Sequence, residues 1–352
     1  MRRHETSPDG ASFTARGGAI LSFTAAFAAS LALALGALST PATAADPEEL
    51  RIGYFQSPNG ELLAKGQGLL AKRFPNTKIR YIKFDVGRDV NAAFAGGSLD
   101  IGIIGTPPGT AGLVNSLPYK IYYLHDIIGE SEALVVKESS GIADIQGVKG
   151  KTIATPFGST SHFSLLAALK QNGIDPKELK ILDITGQEVH AAWTRGDIDG
   201  AYIWQPAQAT LLAEGGRIIT NSREVAGKGG ITGEFGIVSD KFYAEHPDVV
   251  KAYIEILERA TADYKAASPE NVAILARELG LTADETRSVI SQIIVLDASD
   301  QKDPKYLGTS SRPGALAQLL KDTADFLLAD KAIKVSPPAE FFKPFILTEL
   351  YE

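Results

Sequence analysis

Short apolar runs of strand length alternate with stretches of helical periodicity from Leu50 onward. This alternation constrains the fold more than any other feature of the chain. Strands that recur with a helix between them run parallel, and their sheet is covered by helices. Residues 50–55 read as a first strand, 78–84 as a second with strict alternation, and 99–104 as a buried third. Residues 61–74 and 90–95 supply helices between them, and 120–124 is a further strand. The pattern then starts over at Glu132. Strands at 132–137, 151–154, 179–184, 201–204 and 217–220 alternate with helices at 163–172 and 188–195. A strand at 235–239 follows. The remainder is mostly helical, with segments at 248–265, 271–279, 284–294 and 312–329. Two α/β units in succession fit a length of 352 residues.

In open α/β sheets, ligands sit outside the carboxyl ends of the strands. Three such ends carry small polar residues before a helix. They are Gln56-Ser57-Pro58-Asn59, Gly105-Thr106-Pro107-Pro108 and Pro156-Phe157-Gly158-Ser159-Thr160-Ser161. Thr106 reads as an N-cap with Pro107 as the first helical residue. A helix start offers unpaired N–H groups and a partial positive charge, so it suits an anion. Hydroxyls at the same place add donors, although capping the helix is their commoner job.

Trp204 ends a strand and can wall a ligand or stack on a cation. Trp193 lies mid-helix and reads as packing. Glu132 begins the strand that leaves the first unit, and Glu234 precedes the strand that returns to it, so both flank a cleft between the units. Asp199 sits in a turn, where turn chemistry accounts for it.

The pattern argues against an enzyme. No G-x-S-x-G surrounds Ser159, and no phosphate-binding or dinucleotide glycine motif is present. The five histidines are dispersed, with no metal-ligand spacing, and there are no cysteines. Neither a cofactor nor a metal is expected. A net charge of −7 without a basic run argues against a nucleic-acid partner.

Arg2, Arg3 and Arg16 precede an uncharged stretch from Gly17 to Ala45, which closes on Pro41-Ala42-Thr43-Ala44. A positive start, an apolar middle and a small-x-small end make a secretory signal, with cleavage expected after Ala44. An uncleaved anchor is the alternative, because the apolar stretch is long enough to span a bilayer.

Three runs resemble a known family. They are Ser131-Glu132-Ala133-Leu134-Val135-Val136-Lys137, the stretch from Ser159 to Lys170, and the stretch from Ala191 to Trp204. They are similar to the taurine-binding periplasmic proteins of ABC importers, within a wider group that also takes alkanesulfonates, nitrate and thiamine precursors. The resemblance implies a two-lobed, type II periplasmic-binding fold, each lobe a mainly parallel sheet flanked by helices. It implies a signal at 1–44, lobe 1 at 45–132 plus 236–352, and lobe 2 at 133–235. Gln56 and Thr106 match pocket positions of lobe 1. Ser159, Thr160 and Ser161 match the helix start that faces the sulfonate. Glu132, Trp204 and Glu234 match positions around the amine. The implied partner is an inner-membrane permease, and a monomer is expected. Pro107 replaces a family Ser and Glu234 a family Asp, which leaves the exact ligand open.

Overall fold

The computed structural model describes residues 46–228 and 231–352. The expected export signal at 1–44 lies outside the described residues. Eleven strands form among the described residues: β1 (Glu49–Phe55), β2 (Lys78–Phe84), β3 (Ile101–Gly105), β4 (Tyr119–Ile127), β5 (Glu132–Lys137), β6 (Thr152–Thr155), β7 (Lys180–Asp183), β8 (Gly200–Trp204), β9 (Gly216–Asn221), β10 (Gly233–Ser239) and β11 (Ile294–Val295). They make two sheets, in the orders β11-β4-β10-β3-β1-β2 and β7-β6-β8-β5-β9.

The two sheets share one plan. In the first, β1 pairs parallel with β2 and β3, and β10 inserts antiparallel between β3 and β4. In the second, β6 pairs parallel with β7 and β8, and β5 inserts antiparallel between β8 and β9. The antiparallel insert is in each case the strand next to a crossing between sheets. β5 opens the second sheet and β10 returns the chain to the first. The Ile128 N–H donates to the Thr232 carbonyl at 2.9 Å, so the two crossings are tied to each other.

Burial follows the strand period. Leu134 and Val136 of β5 pack with Leu165 and Tyr202, whereas Ala133 and Val135 pack with Trp193 and Ile203. Trp193 is buried, and Lys137 caps its ring at 5.2 Å, as expected of a packing residue. Asp199 accepts from the Thr152 N–H at 2.8 Å, also a structural role. The first sheet is covered by the helix Pro247–Ala266, which buries Tyr253 and Leu257, and by the helix Leu316–Ala329. Phe326 of the latter packs on Phe163 of the second sheet's helix Thr160–Gln171, with ring centres 4.3 Å apart.

Several elements depart from the sequence reading. The helix expected at 61–74 breaks at Gly68, whose φ of +65° suits glycine, giving Gly60–Gln67 and Leu69–Arg73. The N-cap before Pro107 is Gly105, and Thr106 is the first residue of the helix Thr106–Val114. β4 runs on to Ile127 instead of ending at Leu124. Ile294 belongs to the edge strand β11 and not to a helix. Among the described residues, no helix is long and apolar enough to cross a membrane.

Candidate ligand cleft

The carboxyl ends of the parallel strands of both sheets open on one cleft of about 320 Å³. That lies within the usual range for small-molecule sites. Phe55 ends β1 and Gln56 follows it, Phe84 ends β2 with Gly87 beyond, and Gly105 ends β3 with Pro108 beyond. Across from them, Ser159 and Thr160 follow β6, Gly186 and Gln187 follow β7, and Trp204 ends β8. Asp126, Glu132 and Glu234 stand where the chain crosses between the sheets.

The polar ends of the cleft are built by helix starts. Ser159 caps the helix Thr160–Gln171, accepting from the His162 N–H at 3.1 Å and donating to the Pro156 carbonyl at 2.6 Å. Its hydroxyl is therefore spent. The N–H groups of Thr160 and Ser161 have no intrahelical partner, as in any first turn. The helix Gly186–Arg195 presents its first turn to the same cleft, and so does the helix Gly87–Ala95, whose N-cap Val86 has no side-chain oxygen to cap it. Neither start lies in the three polar strand ends that composition picks out. The start at Thr106 is a poorer donor than expected, because Pro107 and Pro108 lack N–H groups.

Four carboxyls line the cleft; Asp85 is exposed at the rim, and Asp126, Glu132 and Glu234 lie deeper. Glu132 is 2% exposed and accepts from the Thr160 hydroxyl and from Ser222 Oγ, the latter at 3.2 Å. Ser164 and Tyr202 back Ser222 at 3.1 Å each. Burial pushes Glu132 up to about 7, while the Thr160 and Ser222 hydroxyls pull it back and Glu234 adds repulsion. Glu234 accepts from Asn59 Nδ2 at 3.3 Å, and burial pushes it up to about 7 as well. Asn59 does this while capping the helix Gly60–Gln67 through the Leu62 N–H. Burial and the facing Glu234 raise Asp126 well above the carboxylate range.

The expected site residues do not all reach the cleft. Gln56, Glu132, Ser159, Thr160, Trp204 and Glu234 line it. Gln56 is already engaged, donating to the Glu278 carbonyl at 2.8 Å and accepting from Lys83 at 2.7 Å. Thr106 is fully buried behind the lining and exchanges two 2.9 Å bonds with Gly233, holding the start of β10. It is a positioning residue, not a pocket contact. Ser161 is likewise fully buried, and its hydroxyl has no hydrogen-bond partner among the described residues. Asp126 and Asn59 are polar residues of the site that the sequence does not single out. The first lies beyond the expected end of its strand, and the second stands only as one member of a polar strand end.

The lobes meet around this cleft. A Cβ built on Gly105 would stand 2.6 Å from Thr160 Cγ2, so glycine lets the two strand ends approach. At the rim, Arg88 bonds the Phe157 carbonyl at 3.2 Å and Asp183 at 3.0 Å, and Gln187 donates to Asp85 at 3.0 Å.

Two mainly parallel sheets joined by two crossings, with their carboxyl ends facing one cleft, define the type II periplasmic-binding fold. A solved structure of the alkanesulfonate-binding protein of Xanthomonas axonopodis pv. citri bound to MOPS superposes with a TM-score of 0.72 at 25% identity, covering 86% of this chain and 98% of that one. A family model described as NMT1/THI5 like matches residues 76–272. The taurine-binding periplasmic protein of Escherichia coli (strain K12) is 34% identical over 299 residues, or 83% of this chain and 90% of that one. A putative aliphatic sulfonates-binding protein of the same organism is 28% identical over 309 residues, 86% and 92% of the two chains. The chain belongs to the NMT1/THI5-like family.

Proposed function

We propose that this chain is the periplasmic substrate-binding component of an ABC importer, and that it carries taurine or a closely related amino-sulfonate in the cleft. The observation that carries this reading is the pairing of opposite polar features in one small cleft. Helix-start N–H groups at Thr160, Ser161, Gly186 and Gln187 suit a sulfonate. The carboxyls of Glu132 and Glu234 suit an ammonium, and the Trp204 face can flank it. Gln56 and Ser159 shape the wall. The taurine- and sulfonate-binding character of the relatives supports the same reading. The expected bounds shift slightly, since β5 starts at Glu132 in the second sheet and β10 starts at Gly233 in the first: lobe 1 would comprise 45–131 plus 233–352 and lobe 2 would comprise 132–232, closing on the ligand about the two crossings.

The protein in this reading is a carrier and not an enzyme. It is exported by the signal at 1–44, works as a monomer and hands its ligand to a permease in the inner membrane. A plain alkanesulfonate is the second reading, favoured by the apolar wall of Phe55, Phe84 and Ile128. Calorimetry with taurine, ethanesulfonate and nitrate on the purified protein separates the readings. Affinity for taurine well above that for ethanesulfonate supports the first. Equal affinity for the two supports the second, and binding of nitrate alone would sink both.

A further inference from the structure

Asp126 brings a buried carboxyl oxygen, unpartnered among the described residues, to the cleft, while its carboxyl also takes the Glu234 backbone N–H and faces the Glu234 carboxyl. It sits near the end of β4, is 2% exposed and lines the cavity. Its Oδ1 has no hydrogen-bond partner among the described residues. In the β4–β10 ladder Asp126 is paired directly with Glu234. Residues opposite each other in an antiparallel pair project to the same face, so the two carboxyls confront one another. The described groups around them bring no balancing charge. Glu132 faces them from β5, Glu61 lies behind Glu234 on the helix Gly60–Gln67, and Tyr264 approaches Asp126 from the helix Pro247–Ala266. Asn59 offers one amide, and it goes to Glu234. Lys83 lines the cleft but donates to Gln56. A buried carboxylate oxygen without a donor is costly, and two facing ones repel. A single proton between them supplies only one bond. A cation with several N–H groups would bond both carboxyls and cancel their repulsion.

We propose that Asp126 is a specificity-determining ligand contact. With Glu234 it forms a two-carboxyl clamp that selects ligands whose cationic head presents at least two N–H donors. A primary ammonium or a guanidinium qualifies, and a quaternary ammonium or a plain sulfonate does not. The clamp rests on the cleft being the sulfonate site proposed above, and adds a selection rule to it.

The test is calorimetry of wild type, Asp126→Asn and Asp126→Ala against taurine, its N,N,N-trimethyl derivative and ethanesulfonate. Thermal melts of the ligand-free proteins report folding. The clamp predicts that wild type prefers taurine to the trimethyl compound by at least about tenfold, as expected of charged hydrogen bonds. It predicts that Asp126→Asn loses about tenfold or more for taurine, keeps ethanesulfonate within about threefold, and melts no lower than wild type. Should Asp126→Asn misfold, Asp126→Ala gives the same comparison. A folded variant with the wild-type ratio of taurine to ethanesulfonate overturns the clamp alone. A wild-type protein that binds none of the three overturns the sulfonate reading and the clamp with it.

Discussion

The two lobes share one sheet plan but treat their buried carboxyls differently. Lobe 2 surrounds Glu132 with hydroxyls: Thr160 and Ser222 donate to it, and Ser164 and Tyr202 stand behind. A hydroxyl can rotate to donate or accept, so this carboxyl is satisfied within the lobe. Lobe 1 gives Glu234 a single amide, from Asn59, and sets Asp126 against it. The same crossing-strand architecture therefore makes one acid site whose hydrogen bonds come from hydroxyls of its own lobe and one that leaves a buried carboxyl oxygen, Asp126 Oδ1, open to a ligand. The asymmetry gives the cleft a direction, with helix-start N–H groups for an anionic head and lobe 1 carboxyls for a cationic one.

The largest expected consequence is on stability against pH. Glu132 and Glu234 sit near 7 and Glu61 near 8 in the folded state, all above the ordinary glutamate value. These three groups therefore bind more protons in folded than in unfolded protein between about pH 4.5 and 8, while His125, pushed down to about 3 by burial, works the other way below about pH 6.5. Stability from these groups is fully present at the acid end, falls as pH rises through that window, and is flat above it. Ligand-free protein should lose several kcal/mol on going from pH 5 to 8. The scale is about 1.4 kcal/mol for every pH unit across which one of these groups stays protonated only in the folded state. Saturating taurine should shrink that loss. Denaturant melts at pH 5, 6, 7 and 8 check it, and stability rising toward pH 8 would refute the raised buried carboxyls of both lobes.

Next in size is Glu234→Gln, which should weaken taurine by about 2–3 kcal/mol, the scale of a lost charged hydrogen bond, and leave ethanesulfonate nearly unchanged. Equal losses for both would remove the distinction between the cationic and anionic ends. Trp204→Ala should cost about 1–3 kcal/mol for either ligand, since it removes a wall common to both. Affinity unchanged by calorimetry would reduce Trp204 to packing. The smallest effect should come from Arg88→Ala. Its bonds to Asp183 and Phe157 join the lobes at an exposed rim, so under about 1 kcal/mol is expected, and less at high salt. A larger loss would mean that closure depends on the rim more than on the buried carboxyls.

Much of the architecture is legible in the sequence. Strict alternation fixes β2 at Lys78–Phe84, and the apolar run after Glu132 fixes β5, because burial on known faces leaves little freedom of register. The restart at Glu132 coincides with the change of sheet. What fails to show is what depends on distant partners. The antiparallel insertion of β10 and β5 is a pairing between segments far apart in the chain, which a local pattern does not encode. In the sequence β4 reads as ending at Leu124 because His125 and Asp126 are polar, yet both are buried where the strand reaches the cleft. The same polarity that hides the strand end marks the site. Thr106 misleads in the opposite way: its place after a strand suggests a ligand contact, but the fold turns its hydroxyl onto Gly233. At helix starts, a hydroxyl signals a cap more reliably than a ligand, and Ser159 is such a cap.

The most direct measurement is a crystal structure of the protein with taurine. The ligand nitrogen is expected within hydrogen-bond distance of Glu234 and Asp126, and the sulfonate oxygens at the N–H groups of Thr160 and Ser161 or of Gly186 and Gln187. A sulfonate lying against the lobe 1 carboxyls, or taurine bound outside the cleft, would contradict this orientation.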